Sequence, residues 1–97
     1  MSRWYILDGH NVVPASVDRA SLEKAIRTPV AKTDLNGSHI STVFLSLDHR
    51  HFGEGPPLVF ETLVIGGKLA DEMYRYSTWE EAETGHAAMV NRVRNAE

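Results

Sequence analysis

Two stretches of this chain are apolar on both sides of the strand alternation, and they set the centre of the sheet. Ile40 to Leu47 points Ile40 and Phe44 one way and Val43, Leu45 and Leu47 the other. Leu58 to Ile65 has the same character and is the natural antiparallel partner across the loop 48–57. Strands of this kind belong in mid-sheet, covered on both faces. The flanks are more polar. Val30 to Leu35 alternates Val, Lys and Asp against Ala, Thr and Leu, and runs into Asn36-Gly37. That dipeptide predicts a type I′ hairpin, because both central positions of such a turn need positive φ. Glu72 to Tyr76, after the Gly66-Gly67 turn, reads as a shorter half-polar strand near an edge. At the other end, Arg3 to Leu7 reads as a first strand closed by the turn-prone Asp8-Gly9-His10-Asn11.

Two segments carry helical spacing. Asp18 to Arg27 has Leu22, Ala25 and Ile26 on one side and ends at Thr28-Pro29. The clearer helix starts at Thr78-Trp79-Glu80-Glu81, which satisfies the capping-box pattern. Trp79, Ala82, His86, Met89, Val90 and Val93 then form one stripe, with Arg92 and Arg94 near the end where the helix dipole favours cations. The expected order is strand, helix, four strands, helix. That is a single α+β domain over 1–97, with a mainly antiparallel sheet of about four to five strands packed against helices.

Composition narrows the class. An apolar fraction of 42% with 24% charged residues is that of a globular domain. The net charge is −3 and the Lys and Arg residues are scattered, so the concentrated positive charge that duplex binding needs is missing and nucleic acid is a poor partner. The chain has no cysteine, which removes disulfides, thiolate metal sites and Cys nucleophiles, and fits a reducing cytoplasm. Polar Ser2 and Arg3 follow Met1 without an apolar h-region, and the longest apolar runs are too short to span a bilayer, so neither a secretory signal nor a membrane segment is expected.

The loop 48–57 gathers Asp48, His49, Arg50, His51 and Glu54 among glycines and prolines. Oxygen and imidazole donors of this kind suit zinc, manganese or iron, but their spacing is not that of a metal motif, and no metal or cofactor is expected. Asp48 has a structural alternative, since Asp at a strand end accepts hydrogen bonds from the amides of the following turn. The loop lacks the Lys-Ser/Thr of a Walker loop, so an anion would be held by Arg50 and loop amides. Ser46, His49 and Asp48 do not form a nucleophile elbow, because neighbours on a strand point to opposite faces.

Glu61 alternates with Val59, Leu63 and Ile65 on an otherwise apolar face, and a buried carboxylate is costly unless paired. His86 stands in the apolar stripe of the last helix, directly after Gly85. A Glu61–His86 contact would resolve both burials. Gly85 itself costs helix stability and implies a close approach of the backbone to the sheet. Among the aromatics, Trp4, Trp79, Tyr74 and Tyr76 are able to stack on a base or sugar ring, although packing is the commoner role of Trp at a helix start and of aromatics on an edge strand.

Ser41-Thr42-Val43-Phe44-Leu45 through Asp48-His49, Gly55 to Thr62, and Tyr76 to Ala82 with Gly85-His86 together resemble a family of small uncharacterised proteins. These are encoded by bacteriophages and by bacteria carrying phage-like genes. The likeness covers residues 40–90. Ser46 stands where the family pattern has Gly, and His51 looks like an insertion. The resemblance implies an accessory protein of the host cytoplasm and supplies no activity. The leading expectation is a non-enzymatic binding module, a homo-oligomer by its small size and apolar edge region, that captures a host protein or an anionic, nucleotide-like small molecule in the manner of a counter-defence protein. Asp48, His49, Arg50, Glu61, Trp79 and His86 are its candidate ligand-binding residues. One alternative is a small hydrolase or transferase, metal-dependent or using Glu61 or Asp48 with His49 or His86 as an acid–base pair. Another is a virion or assembly component.

Overall fold

A computed structural model describes residues 4–15, 28–50 and 53–96. The expected helix over Asp18 to Arg27 and His51 of the loop lie outside the described residues. Within them the fold is α+β, with six antiparallel strands in two sheets and one C-terminal helix. The elements are β1 (Tyr5–Asp8), β2 (Asn11–Pro14), β3 (Thr28–Leu35), β4 (Ser38–Phe44), β5 (Phe60–Ile65), β6 (Met73–Tyr76) and α1 (Trp79–Asn95).

The larger sheet has the order β3-β4-β5-β6, so the two doubly apolar segments do occupy its centre. Asn36 and Gly37 take φ of 54° and 79°, the two positive values a type I′ turn requires, and set the register Leu35 opposite Ser38. β4 then pairs with β5 from Phe44 opposite Phe60 to His39 opposite Ile65. This register puts Ile40, Thr42 and Phe44 on one face with Phe60, Thr62 and Val64, and all six are buried. The other face, with Ser41, Val43, Glu61 and Leu63, is only half-buried, so the two faces are not covered equally.

The start of the chain departs from the expected order. β1 does not join the larger sheet as a strand of its own. It pairs with β2 in a hairpin whose central residues are Gly9 and His10. Gly9 has φ of 62° while His10 stays at negative φ, the combination of a II′ turn. The sequence reading ended its strand at this turn because Asn-Val-Val-Pro offers only two apolar residues and closes with proline, too little for a strand by pattern alone. The hairpin is tied to the main sheet by Tyr5 N–H donating to Ser46 O at 2.7 Å and by a bridge between Trp4 and Leu47.

α1 begins as its capping box predicts. The Thr78 hydroxyl accepts from Glu81 N–H at 3.1 Å, and the Glu81 carboxylate accepts from Thr78 N–H at 3.1 Å. Ala82, His86, Met89 and Val93 are its buried face. They divide the core into two apolar clusters. Ile40, Val64, Met89 and Val93 form one, and Phe44, Val59, Phe60 and Ala82 the other. Phe44 and Phe60 meet at 5.2 Å and 58°, and Trp79 sets Phe60 against it at 89°, the tilted geometries that aromatic quadrupoles favour. Gly85 is needed on the side of the helix facing β6. A Cβ there would fall inside the Tyr76 phenol, so the close approach read from the sequence is made by a ring of the edge strand.

Candidate functional site

Between the two apolar clusters lies a polar seam. The His86 ring sits with Nδ1 2.7 Å from Thr42 Oγ1 and Nε2 2.8 Å from Thr33 Oγ1, and Thr42 Oγ1 is 2.6 Å from Thr62 Oγ1. One helix residue is thereby hydrogen-bonded to β3 and β4, and through Thr42 to β5. A neutral imidazole fits the chain in either direction, with one nitrogen donating and the other accepting, the threonine hydroxyls turning to match. Burial holds the His86 pKa below the usual imidazole value, because taking the ring out of water disfavours its charged form. His86 is thus a neutral crosslink of sheet to helix.

Glu61 is not its partner. Alternation along β5 directs Glu61 to the face opposite Thr62, where it lies across from Arg75 of β6 with Oε2 3.6 Å from Nε. The Glu61–His86 contact expected from the sequence is therefore replaced by two separate solutions on opposite faces of the sheet. The imidazole is hydrogen-bonded by hydroxyls, and the carboxylate faces a cation at ion-pair distance without a hydrogen bond to it. The Thr33, Thr42 and Thr62 partners were missed because a threonine in a strand is read as a β-branched filler. Three strands must be in register before their hydroxyls line up.

In the loop, Asp48 takes the structural alternative. Its Oδ1 accepts from Arg50 N–H and from Leu58 N–H, both at 2.8 Å, closing the base of the loop. His49 N–H donates to Leu58 O at 2.9 Å, and the Arg50 Nε–H donates to Pro56 O at 2.9 Å. The loop binds its own backbone. An Asp48→Asn variant keeps an oxygen acceptor at Oδ1 and is expected to fold with stability within about 1 kcal/mol of the parent, whereas Asp48→Ala strands two amides and costs about 1–3 kcal/mol. Chemical denaturation of the pair checks this. Equal loss in both variants would mean that the charge, and not the acceptor, is what the loop uses.

Trp79 is engaged on both sides. His10, from the β1–β2 turn, lies parallel to it at 3.9 Å and 7°, and Phe60 meets it edge-on. A ligand ring would have to displace His10 to stack there. Beside this pair is a cleft of about 290 Å³ that includes Tyr5, His10, Asn11, Pro57, Ser77 and Glu80. Among the described residues its lining includes the Glu80 carboxylate and neither Arg nor Lys, the wrong sign for a nucleotide-like anion. The six residues selected from the sequence accordingly fall into four places: the loop base, the open face of β5, the helix start and the polar seam. Among the described residues no three His, Asp or Glu side chains gather around a point where a metal would sit. No helix of the described chain is long and apolar enough to cross a membrane.

A different surface stands out. β6 is an outer strand of the larger sheet, and it carries Met73 and Tyr74 at 43% and 49% exposure. Between β6 and α1 runs an apolar groove of about 200 Å³ formed by Tyr74, Tyr76, Gly85, Ala88, Met89 and Arg92. The Arg92 guanidinium lies 5.8 Å from the Tyr74 ring centre, donates to Tyr74 Oη at 3.1 Å and donates to Glu72 at 2.7 Å. Sequence pattern marks this strand as half-polar and near an edge, with Tyr74 and Tyr76 as residues that stack or pack. The exposure of Tyr74 depends on where the sheet ends, which alternation alone does not say.

Compared with known proteins, the chain matches no family model, no curated protein and no solved structure. The resemblance to phage-type proteins thus rests on its motifs. Ser46 has φ of 21°, just inside the region that favours glycine.

Proposed function

We propose that this protein is a small non-enzymatic binding module whose working surface is the β6 edge with the groove beside it, and whose partner is a polypeptide. The observation that carries this reading is the pairing of two large apolar side chains, Met73 and Tyr74, with an outer strand. An open strand edge offers backbone hydrogen bonds to an incoming extended segment, and a flanking apolar groove takes its side chains. The chemistry-bearing residues give no comparable support for catalysis. Asp48 is committed to two amides, and Glu61 and His86 face opposite sides of the sheet. An anionic small molecule is less well served than a polypeptide, since Arg50 is bonded to its own loop and the cleft near Trp79 carries Glu80. A host protein is the partner class that the phage-type resemblance would add.

A photo-crosslinking residue placed at position 74 in cells tests this. It is expected to yield polypeptide adducts, while the same residue at exposed Lys32 on the β3 edge yields few. Equal labelling at both edges, or none at position 74, would remove the reading.

A further inference from the structure

We infer that the polypeptide occupying the β6 edge is a second copy of this chain, paired antiparallel through β6 about a twofold axis at Tyr74. This rests on the proposed use of β6 as a docking strand and names its occupant.

Backbone polarity sets the register. Glu72 O accepts from Val64 N–H and Tyr76 O accepts from Val59 N–H, both at 3.0 Å, so the even-numbered residues of β6 turn their peptide groups toward β5. By alternation the N–H and C=O groups of Met73 and Arg75 point away from the sheet. An antiparallel copy centred on Tyr74 places Met73 opposite Arg75 of the second chain and Arg75 opposite its Met73. All four outward donors and all four acceptors are then satisfied, and the two sheets become one of eight strands. The same register sets Tyr74 across from its copy as a close, non-hydrogen-bonded pair, over the groove side where both rings are exposed.

Charge favours a copy in this orientation. α1 is acidic in its first turn, Glu80 and Glu81, and basic in its last, Arg92 and Arg94. Tyr76 lies beside the acidic end, in a groove with Glu80, Glu81 and Gly85, while Tyr74 lies beside Arg92. Antiparallel pairing runs the two helices in opposite directions, so the acidic start of each lies toward the last turn of the other, while the two Arg92 side chains flank the axis, each already paired with its own Glu72. On the open face each Arg75 keeps Glu61 on one side and meets a neutral Met73 on the other. The second outer strand does not offer the same edge. β3 carries Pro29, a bulge between Pro29 and Ala31, and exposed Lys32, three features that discourage edge pairing.

Sedimentation equilibrium of the 97-residue chain from micromolar to millimolar concentration tests the inference, joined to amide exchange read residue by residue. The expected mass rises from 10.8 kDa toward twice that value. The Met73 and Arg75 amides become protected about tenfold or more as the dimer fills, while the Tyr74 amide, bonded within the monomer, changes little. Tyr74→Lys sets two ammonium groups face to face at the axis and is expected to hold the chain at monomer mass with an unchanged circular dichroism spectrum. Met73→Pro, which removes one outward N–H and leaves the β5 ladder intact, is the second variant should Tyr74→Lys fail to fold. A monomer at every concentration, or a dimer whose Met73 and Arg75 amides exchange independently of concentration, overturns the inference. If the chain is monomeric and position 74 still crosslinks to a different polypeptide, the docking strand stands and only its occupant is wrong.

Discussion

Phe60→Ala is expected to destabilise the protein by about 3–5 kcal/mol, the largest effect of any single side-chain truncation considered for this fold. Phe60 is fully buried and belongs to the cluster with Phe44, Val59 and Ala82, where it touches the rings of both Phe44 and Trp79. Truncation removes the transfer free energy of the ring and leaves a cavity that the neighbours cannot refill. Phe44 is held by the β4 ladder, and Trp79 by the helix start and the His10 stack. A domain of this length has a total stability on the order of 5–15 kcal/mol, so the variant sits near the folding threshold. Urea titration followed by tryptophan fluorescence measures the loss directly, since Trp79 reports on the same cluster. A loss below about 1 kcal/mol would mean that the two ring contacts are not made in solution.

The second large effect belongs to His86. His86→Ala is expected to cost about 2–4 kcal/mol, because it removes the α1 side chain bonded to the threonine seam and opens space between the two apolar clusters. Thr42 keeps Thr62 as a partner, while Thr33 loses its buried one. The pH dependence separates this residue from an ordinary core position. The folded-state pKa of His86 is depressed by burial, so below the ordinary value of 6.5 the unfolded chain binds a proton that the folded one refuses. Proton uptake then favours unfolding. Stability is fully present above 6.5 and is lost as pH falls toward the depressed folded value. Denaturation midpoints measured across this range are expected to fall with acidification in the parent and to fall less in His86→Ala. Parallel slopes in the two proteins would assign the acid sensitivity to another group.

These two residues also show what kind of information the chain carries in one dimension. Phe60 was legible as core from its place in a doubly apolar strand, and the centre of the sheet follows from the same pattern. The I′ turn at Asn36-Gly37 and the capping box at Thr78 and Glu81 were equally readable, since each depends on residues within four positions of one another. His86 was legible only as an anomaly. Its position in an apolar stripe says that it needs a partner, and Glu61 offered the nearest chemical match. Strand register decided otherwise, putting Glu61 on the Arg75 face and three threonines from three strands around the imidazole.

The candidate binding surface was the least readable part. Asp48, His49 and Arg50 attracted attention because polar residues crowd a Gly-rich loop, yet their hydrogen bonds close the loop on itself. Tyr74 was one of four aromatics able to stack and read more often as packing, and it is the half-exposed ring beside the groove on an outer strand. By itself the sequence determined the α+β class, the two central strands, the hairpin turn and the capped helix, all of which are properties of short-range periodicity and local turn chemistry. Only the tertiary structure decided which polar residues meet and where the sheet stops. The contacts of the seam join residues 20 to 53 positions apart, and a side chain's neighbours across a sheet are fixed by register, which no local pattern encodes.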